Sequence, residues 1–302
     1  MKKILSYFKV LMVFTLIISA ISCSDEKLDE NSVIKKPNVT QNAFDIWLYN
    51  NYTLPYNIDF KYKMEDIETS TSRVLVPAEY TKAVAIAKLV KHLCTDAYGE
   101  VSNEAFIRLY FPKVLHLTGS AAWLSNGSRV LGEAEGGRKI TLFEINELDP
   151  TNIEALNEYY FKTIHHEFSH ILHQTKDYSP VYKDITGTDY LSDSWDDPSA
   201  TSQNVWLPKG FISAYARKEP DEDFVEMIAH YLVYNNTWWN AMLTAANITA
   251  SGNNRTGKTI LEEKLTIVKD YMFKTWNVDL DVLKATIQRR QGEIGKLNLY
   301  DL

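Results

Sequence analysis

Cysteine is nearly missing from this 302-residue chain, which has two, Cys23 and Cys94. Two thiols exclude a disulfide scaffold and a cysteine-based zinc cluster. A surplus of positive charge is missing as well. Lys plus Arg number 32 against 39 Asp plus Glu, a formal net charge of −7. No strongly basic block stands out, so a basic nucleic-acid binder is excluded. The apolar run Val10–Ile21 has twelve residues, too few for a bilayer, which takes about 20. There is no nucleotide-binding glycine loop, no serine-nucleophile motif and no internal repeat. What is there is ordinary globular material: 45% hydrophobic and 24% charged residues, enough to bury a core.

The N-terminus reads as an address. Lys2, Lys3 and Lys9 give a positive start, and Val10–Ile21 has the length of a signal-peptide apolar segment. Ala20-Ile21-Ser22 then leads into Cys23. A cysteine placed there resembles the lipobox of bacterial lipoproteins, although Ala20 stands where Leu is usual. The resemblance implies cleavage before Cys23 and lipidation of its thiol, with residues 1–22 as signal peptide. Ser24-Asp25-Glu26 resembles the surface-export signal of some Gram-negative lipoproteins, which implies an outer-membrane lipoprotein exposed at the cell surface. Residues 23–40 are then a lipidated cysteine and flexible tether. Cys94 is left alone and is expected to pack as a small apolar residue.

Residues 41–302 read as one domain. Thr40 is a candidate cap for a helix carrying Phe44, Trp47 and Leu48, and Ile58–Tyr62 alternates as a strand. Residues 79–96 form an amphipathic pattern. Lys113–Leu117 reads as a strand, Asn126-Gly127 signals a hairpin between Ala121–Leu124 and Arg129–Leu131, and Gly136-Gly137 turns into the strand Lys139–Ile145. A small, mainly antiparallel sheet is expected. Beyond residue 152 the period is helical, over 152–174, 220–235, 238–248, 258–275 and 279–292, with Pro220 at a first turn. The polar stretch 175–212 has little period, and loops of that length are often functional.

The chemistry is carried by His166-Glu167-Phe168-Ser169-His170, an H-E-x-x-H motif inside the 152–174 helix. Residues four apart lie one turn apart on one face, so His166 and His170 can hold one Zn²⁺ while Glu167 reaches a metal-bound water. His165 falls off that face, and His173 lies about two turns from His166; both are read as supporting or structural. The downstream histidine and glycine of metzincins are absent. Catalytic zinc takes three protein ligands, and the richest remaining source is the acidic helix start Asp221-Glu222-Asp223-Phe224-Val225-Glu226. Asp193, Asp196 and Asp197 lack EF-hand spacing and read as a solvated loop, and Trp238-Trp239 as core.

A Glu followed four residues later by an acid resembles the gluzincin clan. That resemblance implies Glu222 as third zinc ligand and Glu226 as acceptor of a hydrogen bond from a ligand histidine, with Glu226 and Asp223 as alternative ligands. Tyr215 precedes Glu222 by seven residues, a spacing similar to that of the anthrax lethal factor family of zinc peptidases. It implies that the Tyr215 phenol hydrogen-bonds the oxyanion of the tetrahedral intermediate. More broadly, Leu54–Ile58, Gly132–Gly137, His165–Gln174 and Glu222–Glu226 together resemble the substrate-import-associated zinc metallohydrolase lipoproteins, a family of zinc-binding metallopeptidases linked with outer-membrane nutrient import.

The expectation is therefore an α+β, zincin-like fold: a small sheet, an active-site helix and a helical C-terminal lobe. The expected activity is zinc-dependent peptide hydrolysis with Glu167 as general base. Lys139–Ile145 is the candidate strand for pairing with an extended peptide. The rival reading is a non-catalytic zinc-containing accessory lipoprotein of an import complex. A third is hydrolysis of a non-peptide amide. Expected partners are a peptide or protein substrate, a membrane through the lipid anchor, outer-membrane import proteins, and no nucleic acid.

Overall fold

Asn42 opens the first helix with a reciprocal capping box: its side chain accepts from the Asp45 amide, and the Asp45 side chain accepts from the Asn42 amide. Two orphan donors are thereby satisfied. The computed structural model describes residues 41–64, 73–123, 129–130, 132–135 and 138–302. Thr40, the leader and tether with Cys23, and the turns at Asn126-Gly127 and Gly136-Gly137 lie outside the described residues. The described residues fall within one compact unit, Gln41–Leu302. No described helix is long and apolar enough to cross a membrane.

Helix α1 (Ala43–Leu48) runs through a π-turn at Tyr49–Thr53 and ends at Asn57, whose φ of 56° is the left-handed stop that Asn tolerates. Strand β1 (Asp59–Lys61) follows. Helix α2 (Tyr80–Val90), a second π-turn (Lys91–Thr95) and α3 (Asp96–Val101) form one rod. Its apolar face, Ala83, Ala87, Leu89, Val90 and Leu93, is fully buried, and so is Cys94. Helix α4 (Glu104–Tyr110) is capped by Asn103 and buries Phe106 and Ile107. Then come β2 (Val114–Leu117), β3 (Ala122–Trp123), β4 (Arg129–Val130), β5 (Gly132–Glu135) and β6 (Lys139–Leu142).

The sheet is not mainly antiparallel. Its order is β1-β2-β6-β5, with β1–β2 and β2–β6 parallel and only β5–β6 antiparallel. Turn signals report pairing between neighbours in sequence, as in the short β3–β4 ladder. Parallel pairing needs a long crossover, here α2 to α4, and leaves no local mark. Strand β6 also has a neighbour on each side. Strand β6, the start of the segment Lys139–Ile145, therefore has no open edge for an extended peptide, and among the described residues the edges of this sheet are β1 and β5.

The C-terminal half is helical as expected. A single turn at Ile153–Leu156 and a π-turn at Asn157–Phe161 lead into α5 (Lys162–Thr175), which carries the H-E-x-x-H motif. Residues 175–212 contain only single turns, among them Val181–Ile185 and Gln203–Trp206. Helix α6 (Pro220–Val233) has Pro in its first turn and packs along α5. It is followed by α7 (Asn236–Ala245), α8 (Gly257–Trp276) and α9 (Leu280–Gln291). Trp239 is core and Trp238 packs against it. Helix α9 buries Leu280, Leu283 and Ile287. It closes back on α3, where Arg290 pairs with Glu100 and donates to the His92 carbonyl at 3.0 Å.

Candidate metal centre

The centre is made where α5 meets α6. His166 and His170 lie one turn apart on α5, with ring centroids 4.8 Å apart. Their Nε2 atoms are each 3.1 Å from Glu222 Oε2 on α6. Donor atoms of His166, His170 and Glu222 all lie within 4.8 Å of one another, among the described residues the one such group of three or more.

The far side of each ring is occupied. His166 Nδ1 donates to Glu226 Oε1 at 2.8 Å, and Glu226 Oε2 accepts from Ser213 Oγ at 2.6 Å. His170 Nδ1 is 3.0 Å from His173 Nε2. These contacts fix which nitrogen faces the centre, as partners of a ligating imidazole do. Two Nε2 atoms and one carboxylate oxygen thus converge, a donor set that fits tetrahedral zinc with one position open. The outer oxygen of Glu222, Oε1, accepts from Tyr215 Oη and Lys218 Nζ, both at 2.8 Å.

Charge in the centre is strongly coupled. Burial disfavours the His166 cation, but the Glu222 and Glu226 carboxylates outweigh it and push its pKa up to about 10. Burial likewise opposes ionisation of Glu222 and Glu226, yet hydrogen bonds from His166 and His170 hold Glu222 well below the usual range. For Glu226 the His230 and His166 rings do the same. Glu167 is pushed up by burial, against the pull of the His166 and His170 rings. A carboxylate nearer neutral pH is a better general base.

The other candidates separate cleanly. Asp223 points away from the centre and pairs with Lys264 Nζ at 2.5 Å and Tyr190 Oη at 2.9 Å. His165 is fully buried against Tyr98 Oη at 3.1 Å, and burial pulls its pKa down to about 3. Sequence reasoning missed Ser213 and Lys218, which precede the acidic helix without any motif. It also left the partner of His173 unnamed.

Comparison with known families matches residues 36–281 to the model described as "Putative zinc-binding metallo-peptidase". The chain belongs to this family. A crystal structure at 2.10 Å of a protein described in the same words, from Bacteroides caccae ATCC 43185, superposes with a TM-score of 0.73. The two are 44% identical, over 85% of this chain and 95% of the other. Comparison with functionally curated proteins returns no match. The zinc-binding metallopeptidase family thus accounts for most of the length of the chain, including α5 and α6.

Proposed function

We propose that the protein is a zinc-dependent peptidase of gluzincin type on a zincin-like fold, with His166, His170 and Glu222 as ligands and Glu167 as general base. The observation that carries this reading is the convergence of two Nε2 atoms on one Glu222 oxygen. Zinc held by His166, His170 and Glu222 would supply a Lewis acid able to make a water nucleophilic near neutral pH. Glu167 follows His166 in the motif, and no hydrogen bond to a described residue ties up its carboxyl. It takes the proton from the attacking water and returns it to the leaving amine nitrogen.

Tyr215 Oη carries the proton for the oxyanion. Its present acceptor, Glu222 Oε1, is also held by Lys218. Turning the phenol toward substrate therefore costs Glu222 one donor and leaves it the other. An extended peptide pairs with the outer edge of β5, which among the described residues has only β6 as neighbour.

The residues before Gln41 add an address to this reading. Lipidation at Cys23 would hold the enzyme at the outer membrane, outward-facing and near nutrient-import proteins. Metabolic labelling with a radioactive fatty acid tests it, and a Cys23→Ala protein that still labels refutes it.

The central test is a peptide-library digest with zinc-loaded protein. Wild type cuts and is stopped by chelation. Glu167→Gln retains zinc and loses roughly 10²–10⁴-fold in rate. Full activity in that variant would refute the base, and cleavage of amide-bearing glycans with no peptide cut would refute the substrate class.

A further inference from the structure

Arg217 is a buried cation with no counter-charge of its own. It is 4% exposed, and its Nε is buried without a hydrogen-bond partner. The guanidinium lies over the Phe211 ring at 5.9 Å and makes no hydrogen bond or ion pair with a described residue. Asp189, the acid whose field reaches it, is already paired with Lys209. A guanidinium does not shed its charge, and a buried charge left unpaired is costly. An unsatisfied buried group of this kind points to something that completes it.

It lines an open pocket of about 260 Å³, together with Ser194, Ser199, Lys209 and Asp197. The Asp197 carboxylate is engaged by its own turn, accepting at Oδ1 from the Ser199 amide at 3.0 Å and the Ser199 hydroxyl at 2.9 Å. With Lys209 paired to Asp189, Arg217 is the lining cation that lacks a partner. The volume is below the usual range for cofactor-sized ligands and suits a single carboxylate with its stem. The Arg fork matches a carboxylate with two parallel hydrogen bonds.

The cavity adjoins the metal centre through shared structure. Arg217 ends the turn Tyr215–Arg217, whose first residue donates to Glu222. The wall carrying Ser194 also carries Trp195, edge-on to Tyr215 at 4.8 Å. Backbone bonds from Leu191 N to the Arg217 carbonyl and from Ser192 N to the Lys218 carbonyl, at 2.7 and 3.0 Å, fasten wall to turn.

We propose that this cavity is a carboxylate subsite in which Arg217 binds an acidic group of the peptide substrate, a side chain or the C-terminus. Its use for substrate rests on the peptidase reading, but the anion site itself does not.

The test measures binding by calorimetry to the zinc-loaded, full-length Glu167→Gln protein, in which hydrolysis is suspended. Three matched peptides are compared: one bearing glutamate, one with glutamine in its place, and one with an amidated C-terminus. The form that loses the recognised carboxylate should bind about 10- to 100-fold more weakly, the size of a charge-assisted hydrogen-bond pair, which also tells side chain from terminus. Adding Arg217→Gln should erase that difference, whereas a carboxylate captured by the metal would survive it. Should that variant fail to fold, Ser194→Glu leaves Arg217 in place and sets an acid at the rim. It should raise the melting temperature and abolish the preference.

Equal binding of all three peptides, or a preference that persists in Ser194→Glu, overturns the proposal. Hydrolysis by wild type without a carboxylate preference refutes the subsite alone. A carboxylate preference without zinc-dependent hydrolysis refutes the peptidase reading alone.

Discussion

At the residue scale, two buried lysines show what a counter-charge is worth. Lys264 Nζ is held by Asp223 at 2.5 Å and the Gly210 carbonyl at 2.9 Å. Lys284 Nζ has no hydrogen-bond partner and sits over the Tyr231 and Trp239 rings at 4.1 and 5.6 Å. Burial pulls Lys284 down to about 8 from 10.5, with Asp281 opposing. Between those values the unfolded chain binds more protons than the folded one, so stability rises with pH across the window. Below pH 8 the full cost is present, partly returned by the rings. Lys284→Met should therefore stabilise the protein by about 1–2 kcal/mol at pH 7 and flatten its stability between pH 8 and 10, read by urea unfolding. A destabilised variant would mean that the cation is a net asset. The acids of α6 mark how far a sequence reaches at this scale. Glu222 and Asp223 are neighbours in one turn and chemically alike, and only the rotation of about 100° per residue sends one to His166 and the other to Lys264. His166, Glu167 and His170 were legible because all three share one turn. Ser213, Lys218 and Arg217 were not: Ser213 meets Glu226 only after the chain turns into α6, Lys218 reaches Glu222 without any motif, and Arg217 is marked only by the partner it lacks.

At the element scale, the decisive contact is between β5 and α5. A Cβ on Gly132 would come within 2.3 Å of Thr163 Cγ2, three residues before His166. The strand thus lies directly on the motif helix, closer than any side chain allows. Gly132→Val should push β5 away, costing about 1–3 kcal/mol as overpacking does, measured by thermal unfolding. Its KM for peptides should rise, with zinc affinity within about threefold of wild type, since the proposed ligands belong to α5 and α6. A variant that lost zinc and kept KM would place the substrate elsewhere. Helices with sustained period and caps were legible, α8 and α9 nearly to the residue. The sheet was not, because strands as short as β1 and β2 carry no information about a partner beyond an intervening helical layer. The single turns of 175–212 were hidden too, being fixed by the walls they pack on.

At the scale of the whole molecule, the metal centre joins two helices whose donors lie 52 residues apart in sequence, His170 and Glu222. Without metal, His166 keeps its proton at neutral pH and bridges Glu222 and Glu226. Its raised pKa contributes stability fully below about 6.5 and loses it as pH climbs toward 10. Zinc must displace that proton, so its own contribution grows with pH. The difference in melting temperature between zinc-loaded and chelated protein should therefore widen from pH 6.5 to 9, measured by calorimetry. A constant difference would refute the competition. The closure of α9 on α3 acts over a longer span. The early rod gains its Arg290 partner and apolar cover from the last helix of the chain. A ribosome making this chain must therefore emit nearly all of it before the rod of α2 and α3 gains that cover.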